Sequence, residues 1–322
     1  MPIGEYTDSM EIVVFGAGSL GSLIGGCLTR AHDVTLLGRN PHVKAIRRSG
    51  LEIVGECEFR TYPDARTDGP PEADLAVLTT KAFDTDSAAR ALSGRADCVL
   101  SLQNGVGNED VLRTELDRVL AGTCTYGALY REPGVVKCTG RGEVVLGALP
   151  ERRSKARDHD DRADGTGRVN RIDHAVADRV GAAFRKAGIE ATVAEDMTER
   201  LWEKLAVNAA INPVTALSRA PNGALRTGEA HRLATGAARE TARVAREGSV
   251  DLPEDRALTA LEDVLETTAG NDSSMLQDVQ QERRTEIEAI SGYVADRANE
   301  PVPITETLRD LVRAWERERN LR

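Results

Sequence analysis

Short apolar runs recur through the first 194 residues, separated by polar or glycine-rich stretches. Ile12–Phe15, Val34–Leu37, Leu51–Val54, Leu75–Leu78, Val99–Leu102, Cys124–Leu129 and Val144–Leu146 are rich in valine, isoleucine and leucine. Short runs of this kind read as strands buried on both faces. Helical stretches lie between several of them, around 41–48, 82–92 and 108–120. RIDHAVADRVGAAFRKAG then predicts one more helix and IEATVA one more strand. Strand alternating with helix implies a parallel sheet covered on both faces. From Glu195 the strands stop, and the pattern is helical to the end apart from breaks at Asn222–Gly223, Gly248–Pro253 and Pro301–Pro303. The expected fold is α/β: a doubly wound parallel sheet over residues 10–194, then an all-helical domain over 195–322.

Two stretches depart from this pattern. ERRSKARDHDDRADGTGRVN, residues 151–170, is almost wholly polar and without periodicity, so a mobile surface loop is expected there. Residues 1–9 lack the basic start and apolar core of a signal peptide and are expected to be a loose extension, with Met10 an alternative start.

Composition narrows the class. The net charge of −10 and the pI near 5.2 argue against nucleic acid as a partner. No apolar run reaches the roughly 18 residues of a membrane span. The cysteines at 27, 57, 98, 124 and 138 form no C-x-x-C and are odd in number, so reduced thiols in a cytoplasmic protein are expected. The scattered histidines offer no metal-ligand spacing, and no metal is expected. Of 42 basic residues only six are lysine, at 44, 81, 137, 155, 186 and 204. Where arginine is the default cation, a retained lysine nominates a site needing a compact, deprotonatable ammonium.

Gly16-Ala17-Gly18-Ser19-Leu20-Gly21 matches G-x-G-x-x-G, directly after a strand and opening a helix. In that setting the first glycine allows the tight turn, the second lets the backbone approach a pyrophosphate, and the third brings helix and strand together. This makes the sheet domain Rossmann-type and the ligand a dinucleotide. The second strand ends in Leu37-Gly38-Arg39-Asn40, with no carboxylate for a ribose 2′-hydroxyl. Arg39 could pair with a 2′-phosphate, so NADP(H) is expected over NAD(H).

In LWEKLAVNAAINPVTALSRAPNGAL, Lys204, Asn208 and Asn212 stand at i, i+4 and i+8, an arc of about 80° on a helix. The Asn212-Pro213 step is expected to disturb the helix. Lys81, and Gln103-Asn104-Gly105, end two strands at the sheet edge where ligands sit. Ser273-Ser274 could cap a helix beginning near Met275, and Glu286 is expected on a helix behind Arg283 and Arg284.

Across nearly its whole length the chain resembles the ketopantoate reductase family. The resemblance is carried in order by GAGSLG, TTKAFDT, SLQNGVGNED, GALYREPGVV, LWEKLAVNAAINPVTALSRAPNGAL and NDSSMLQDVQQERRTEIEAISG. It implies NADPH-dependent reduction of 2-dehydropantoate to (R)-pantoate, on the route to pantothenate and coenzyme A, in a cleft between a Rossmann domain and a helical domain. It further implies Lys204 as the catalytic lysine with Glu286 as its acidic partner, and Lys81, Asn104 and Glu286 near the nicotinamide end of the cofactor. Asn208, Asn212, Asn222, Ser274 and Asn104 become substrate-contacting positions. The alternatives are a reductase of another branched 2-oxo acid and a non-catalytic NADP(H) sensor. A homodimer paired through the helical part is compatible with the sequence, though no interface is legible.

Overall fold

The computed structural model describes residues 9–150 and 171–322. The expected loop at 151–170, and all but the last residue of the expected N-terminal extension, lie outside them. The chain forms two compact units: 1–80, 84–103 and 109–197 make one, and 81–83, 104–108 and 198–322 make the other.

Among its described residues the first unit contains twelve strands: β1 (Glu11–Phe15), β2 (Asp33–Leu37), β3 (Leu51–Gly55), β4 (Phe59–Thr61), β5 (Asp64–Arg66), β6 (Leu75–Leu78), β7 (Val99–Ser101), β8 (Val119–Cys124), β9 (Gly127–Glu132), β10 (Val135–Gly140), β11 (Val144–Ala148) and β12 (Ala191–Val193). Eight of them form one sheet in the order β12-β11-β8-β7-β6-β1-β2-β5. All its neighbours run parallel except β8 and β11, so the sheet is mixed rather than purely parallel. Val13, Val14, Leu36, Leu75, Val77 and Leu100 are buried at its centre, as continuous apolar runs require. The chain's first helices are α1 (Ser19–Leu28), α2 (His42–Ser49), α3 (Thr85–Leu92), α4 (Asn108–Leu112) and α5 (Arg171–Lys186).

A second sheet, β4-β3-β10-β9, was not expected from the pattern. Its strands alternate or are half-exposed, and three of them hide among polar residues. Two boundaries also differ from expectation. The run 124–129 is not one strand but the junction of two, for the chain leaves the large sheet after Cys124 and enters the small one at Gly127. The helix expected over 108–120 stops at Leu112, because Val119–Ala121 pair with Val99–Ser101 and are buried. Sheet pairing overrides the local helical preference of the preceding residues.

The described residues of the second unit form helices and connecting turns, with no strand among them. The unit is built on α6 (Met197–Ser218), α7 (Gly228–Glu247), α8 (Glu254–Thr267), α9 (Ser274–Gln280), the short α10 (Tyr293–Ala295) and α11 (Pro303–Glu318). Asn222–Arg226 is a 3-10 turn rather than a break, and Glu288–Gly292 is a turn of π-helix. α6 runs unbroken through Pro213, contrary to the expected disturbance. A proline inside a helix costs about 3 kcal/mol. Here Leu205–Val207 and Ala209–Ala216 are buried without interruption, and that packing holds the helix together.

Candidate active site

In the first unit the glycine turn has the shape a dinucleotide needs. Gly16 has φ +114°, and a Cβ there would lie 2.7 Å from Thr80 N. A Cβ on Gly21 would lie 2.2 Å from Gly16 O and 2.4 Å from Thr79 Oγ1, so α1 rests on the strand ends only because this residue is glycine. Gly18 differs: its Cβ would meet nothing nearer than 4.0 Å, leaving its backbone open to a ligand. The first turn of α1 carries no acidic residue and no side-chain cap, which suits an anion. Ala17 is buried, Leu20 is half-buried, and Ser19 Oγ accepts from Tyr130 N–H at 3.0 Å. Arg39 is exposed just beyond β2 and pairs with no carboxylate among the described residues.

The second unit gathers a charged cluster from distant parts of the chain. Lys81 Nζ lies 2.6 Å from Asp278 Oδ2 and 3.3 Å from Glu286 Oε2. Ala82 N–H donates to Glu286 Oε1 at 3.0 Å, and Asn104 Nδ2 donates to Oε2 at 3.3 Å. Glu286 is buried, and it sits in the non-helical stretch before the π-turn rather than on the expected helix. The nearby backbone explains how Asn104 arrives: Gly105, at φ +87°, comes so close to Ala289 O that a Cβ would be 2.4 Å away. Burial alone would lower the Lys81 pKa, but attraction to Glu286 and Asp278 outweighs it and raises the group. Asp278 is pushed up by burial, with Lys81 opposing and Glu286 adding to the rise.

Lys204 and Asn208 lie one turn apart on α6, both half-buried, with Asn212 buried a turn further. Asn208 Nδ2 is buried without a hydrogen-bond partner. Asn222 donates through Nδ2 to Thr268 Oγ1 at 2.8 Å, while its buried Oδ1 has no partner. Ser273, not Ser274, caps α9, its Oγ accepting from Leu276 N–H at 3.1 Å. Ser274 is the exposed first residue of that helix. Within this unit Lys81, Asn104 and Glu286 come into direct contact.

Sequence reasoning missed Asp278, which reads as one more helix carboxylate until its place beside Lys81 is known. It also missed Thr215, whose hydroxyl is 2.7 Å from Ser273 Oγ. A threonine in an apolar run gives little signal, since β-branched residues fill cores.

Two family models cover most of the chain: ketopantoate reductase PanE/ApbA over residues 12–151, and ketopantoate reductase PanE/ApbA C terminal over 196–316. The 2-dehydropantoate 2-reductase of Halobacterium salinarum is 40% identical, aligned over 96% of this chain and all of its own. That of Pyrococcus horikoshii is 35% identical over 95% of this chain and 98% of its own. The chain belongs to the ketopantoate reductase family. A solved ketopantoate reductase from Ralstonia eutropha superimposes with TM-score 0.82 at 31% identity, covering 97% of this chain and all of the other. D-mandelate dehydrogenase, solved with NADH and anilino(oxo)acetate, gives TM-score 0.84 at 25% identity and 97% coverage of this chain. In this member of the family the glycine turn falls within the first matched segment, and Lys204, Asn208, Asn212, Asn222, Ser274 and Glu286 fall within the second.

Proposed function

We propose that this ketopantoate reductase reduces 2-dehydropantoate to (R)-pantoate with NADPH, as a soluble cytoplasmic enzyme supplying pantothenate and coenzyme A synthesis. Residues 10–194 are read as the NADP(H)-binding domain and 195–322 as the substrate and catalytic domain, with the segments holding Lys81 and Asn104 serving the latter. The observation that carries the reading is the pair of orphaned amide atoms, Asn208 Nδ2 and Asn222 Oδ1, one donor and one acceptor, both buried. An unmet buried polar atom costs about 1–3 kcal/mol. The substrate offers carboxylate and ketone acceptors and a hydroxyl that both donates and accepts, so it can complete both atoms.

NADPH, when bound, supplies the hydride for the ketone carbon. Gly16–Gly21 would hold its pyrophosphate and Arg39 its 2′-phosphate. Lys204 holds the ketone oxygen by hydrogen bond, stabilises the negative charge that gathers there and releases a proton to it. Stabilising that charge at a fixed donor is typically the largest single contribution to such a reaction. Asn208 and Asn212 hold the substrate along α6, Asn222 holds its hydroxyl, and Ser274 receives its carboxylate at the start of α9. Glu286, already fixed by Ala82, Lys81 and Asn104, orients the reacting groups. A homodimer is the expected assembly, checked by light scattering of the eluting protein.

Purified enzyme offered NADPH with 2-dehydropantoate and a panel of other 2-oxo acids, aromatic ones included, tests the reading by loss of NADPH absorbance. Strong preference for 2-dehydropantoate is expected, with Lys204→Ala losing about 10³–10⁴ in kcat. Arg39→Ala is expected to raise KM for NADPH about tenfold or more and leave that for NADH unchanged. Near-normal turnover by Lys204→Ala would overturn the mechanism. Indifference among the acids would favour a broader 2-oxo acid reductase.

A further inference from the structure

Cysteine spacing gave no hint of pairing, yet the fold sets two thiols in contact. Gly55 at the end of β3 lies opposite Cys138 of β10, and Glu56 N–H donates to Cys138 O at 3.0 Å. A Cβ on Gly55 would lie 2.4 Å from that same oxygen, so the turn after β3 can press against β10. It carries Cys57 to a position where the Cys138 thiol donates to its sulfur at 3.2 Å, across 81 residues of sequence. A disulfide needs the sulfurs at about 2.0 Å, so closure asks for a shift of roughly 1 Å. Cys57 lies in the turn between β3 and β4, where such a shift is easily made, and Cys138 is fully buried.

Cys57 also opens onto a cavity of about 290 Å³, whose lining includes Cys27, Arg30, Glu58, Tyr126 and Arg141. Both guanidiniums are tethered. Arg141 Nε donates to Glu56 O at 3.2 Å, and Arg30 lies over the Phe59 ring at 5.5 Å. Among the described residues of the lining, Arg30 and Arg141 face one carboxylate, Glu58, so their charges sum to a net positive value.

We propose that Cys57 and Cys138 form a redox-active dithiol whose cavity admits small anionic disulfides. The Cys57 thiolate attacks one sulfur of the disulfide, forming a mixed disulfide and expelling a small thiolate, which takes up a proton. Cys138 then loses its proton and attacks Cys57 Sγ, expelling the second small thiolate. Two protein thiols give up two electrons and two protons, and the small disulfide becomes two thiols. Burial, and then the contact with Cys57, push the Cys138 thiol up to about 11. Its thiolate fraction therefore rises roughly tenfold per pH unit through the neutral and mildly alkaline range, and ring closure quickens with it. Cys27 is pushed up to about 12, chiefly by burial, and is the poorer attacker at any such pH.

The test uses the full chain, with oxidised glutathione as the anionic probe and cystamine as the cationic one, followed by acid quenching, thiol counting and peptide mapping. Oxidised glutathione is expected to remove two of the five thiols several-fold faster than cystamine, leaving a Cys57–Cys138 link and no retained glutathione. Cys138→Ala should trap one glutathione on Cys57, and the half-exposed Cys57→Ser should abolish the fast loss. Thermal melts of both variants confirm that they fold. The oxidised parent should melt higher than the reduced one, a rise absent in Cys57→Ser. A link through Cys27, glutathione held permanently on the parent protein, or cystamine reacting as fast as glutathione would overturn the proposal. None of these outcomes depends on which 2-oxo acid the enzyme reduces.

Discussion

Gly18 and Gly21 are the same residue type three positions apart, yet they are glycine for opposite reasons. Gly21 has no room for a methyl group, since Gly16 O and Thr79 Oγ1 already occupy the place. Gly18 has room for one, and under the proposed function that open space is where the dinucleotide would approach. Gly21→Ala should therefore destabilise the first unit by about 1–3 kcal/mol, as overpacking does, and lower its melting temperature. Gly18→Ala should melt like the parent and weaken NADPH binding about tenfold or more, read by fluorescence titration. If the two variants exchanged these phenotypes, the turn would be packed differently from the geometry above. The motif itself was plain in the sequence, because the strand before it and the helix after it give the glycines a setting. Glu286 was legible only by resemblance. Its local sequence suggests a helix surface, and what makes it special is three donors arriving from residues 81, 82 and 104.

At the level of elements, α6 and α9 are joined by a chain of hydrogen bonds. Leu276 N–H donates to Ser273 Oγ at 3.1 Å, and the Ser273 and Thr215 hydroxyls lie 2.7 Å apart. Thr215 in turn donates to Ile211 O at 2.8 Å. The chain fixes the start of α9, with Ser274, against the stretch of α6 that holds Asn208 and Asn212. Thr215 is thus a positioning residue. Thr215→Val should cost about 1–2 kcal/mol of stability and raise KM for 2-dehydropantoate several-fold with KM for NADPH unchanged. Thr215→Ser, which keeps the hydroxyl, should restore KM; equal losses in both variants would reduce Thr215 to a packing residue. Elements with strong internal signals, such as β1, α1, β6 and α6, were readable from their apolar pattern. The small sheet and the end of α4 were not, because Val135–Cys138 pair with Glu52–Gly55 and Val119–Ala121 with Val99–Ser101, partners that no local pattern announces.

The second unit is completed by residues from outside its own contiguous stretch, and that has a consequence for the stability of the molecule. Lys81 is 197 residues from Asp278 and 205 from Glu286, both of whose side chains are 5% exposed. Without its ammonium, two buried carboxylates would face each other, with Arg283 3.7 Å from Asp278. Removing one partner of a fully buried pair costs about 3–5 kcal/mol. The Lys81 side chain is 34% exposed and screened to that extent, so about 2–3 kcal/mol is expected for Lys81→Met at neutral pH. The pH dependence gives the stricter test. The folded protein raises the Lys81 pKa above its ordinary 10.5, so its contribution is whole below that value and is lost as pH climbs through the folded one. Towards acid, the Asp278 carboxyl, which burial pushes up, takes a proton, and the variant's deficit shrinks. Urea midpoints measured across pH should therefore converge for parent and Lys81→Met at both extremes and separate most widely between them. A constant offset at every pH would mean that Lys81 stabilises the unit through the packing of its methylenes and not through its charge.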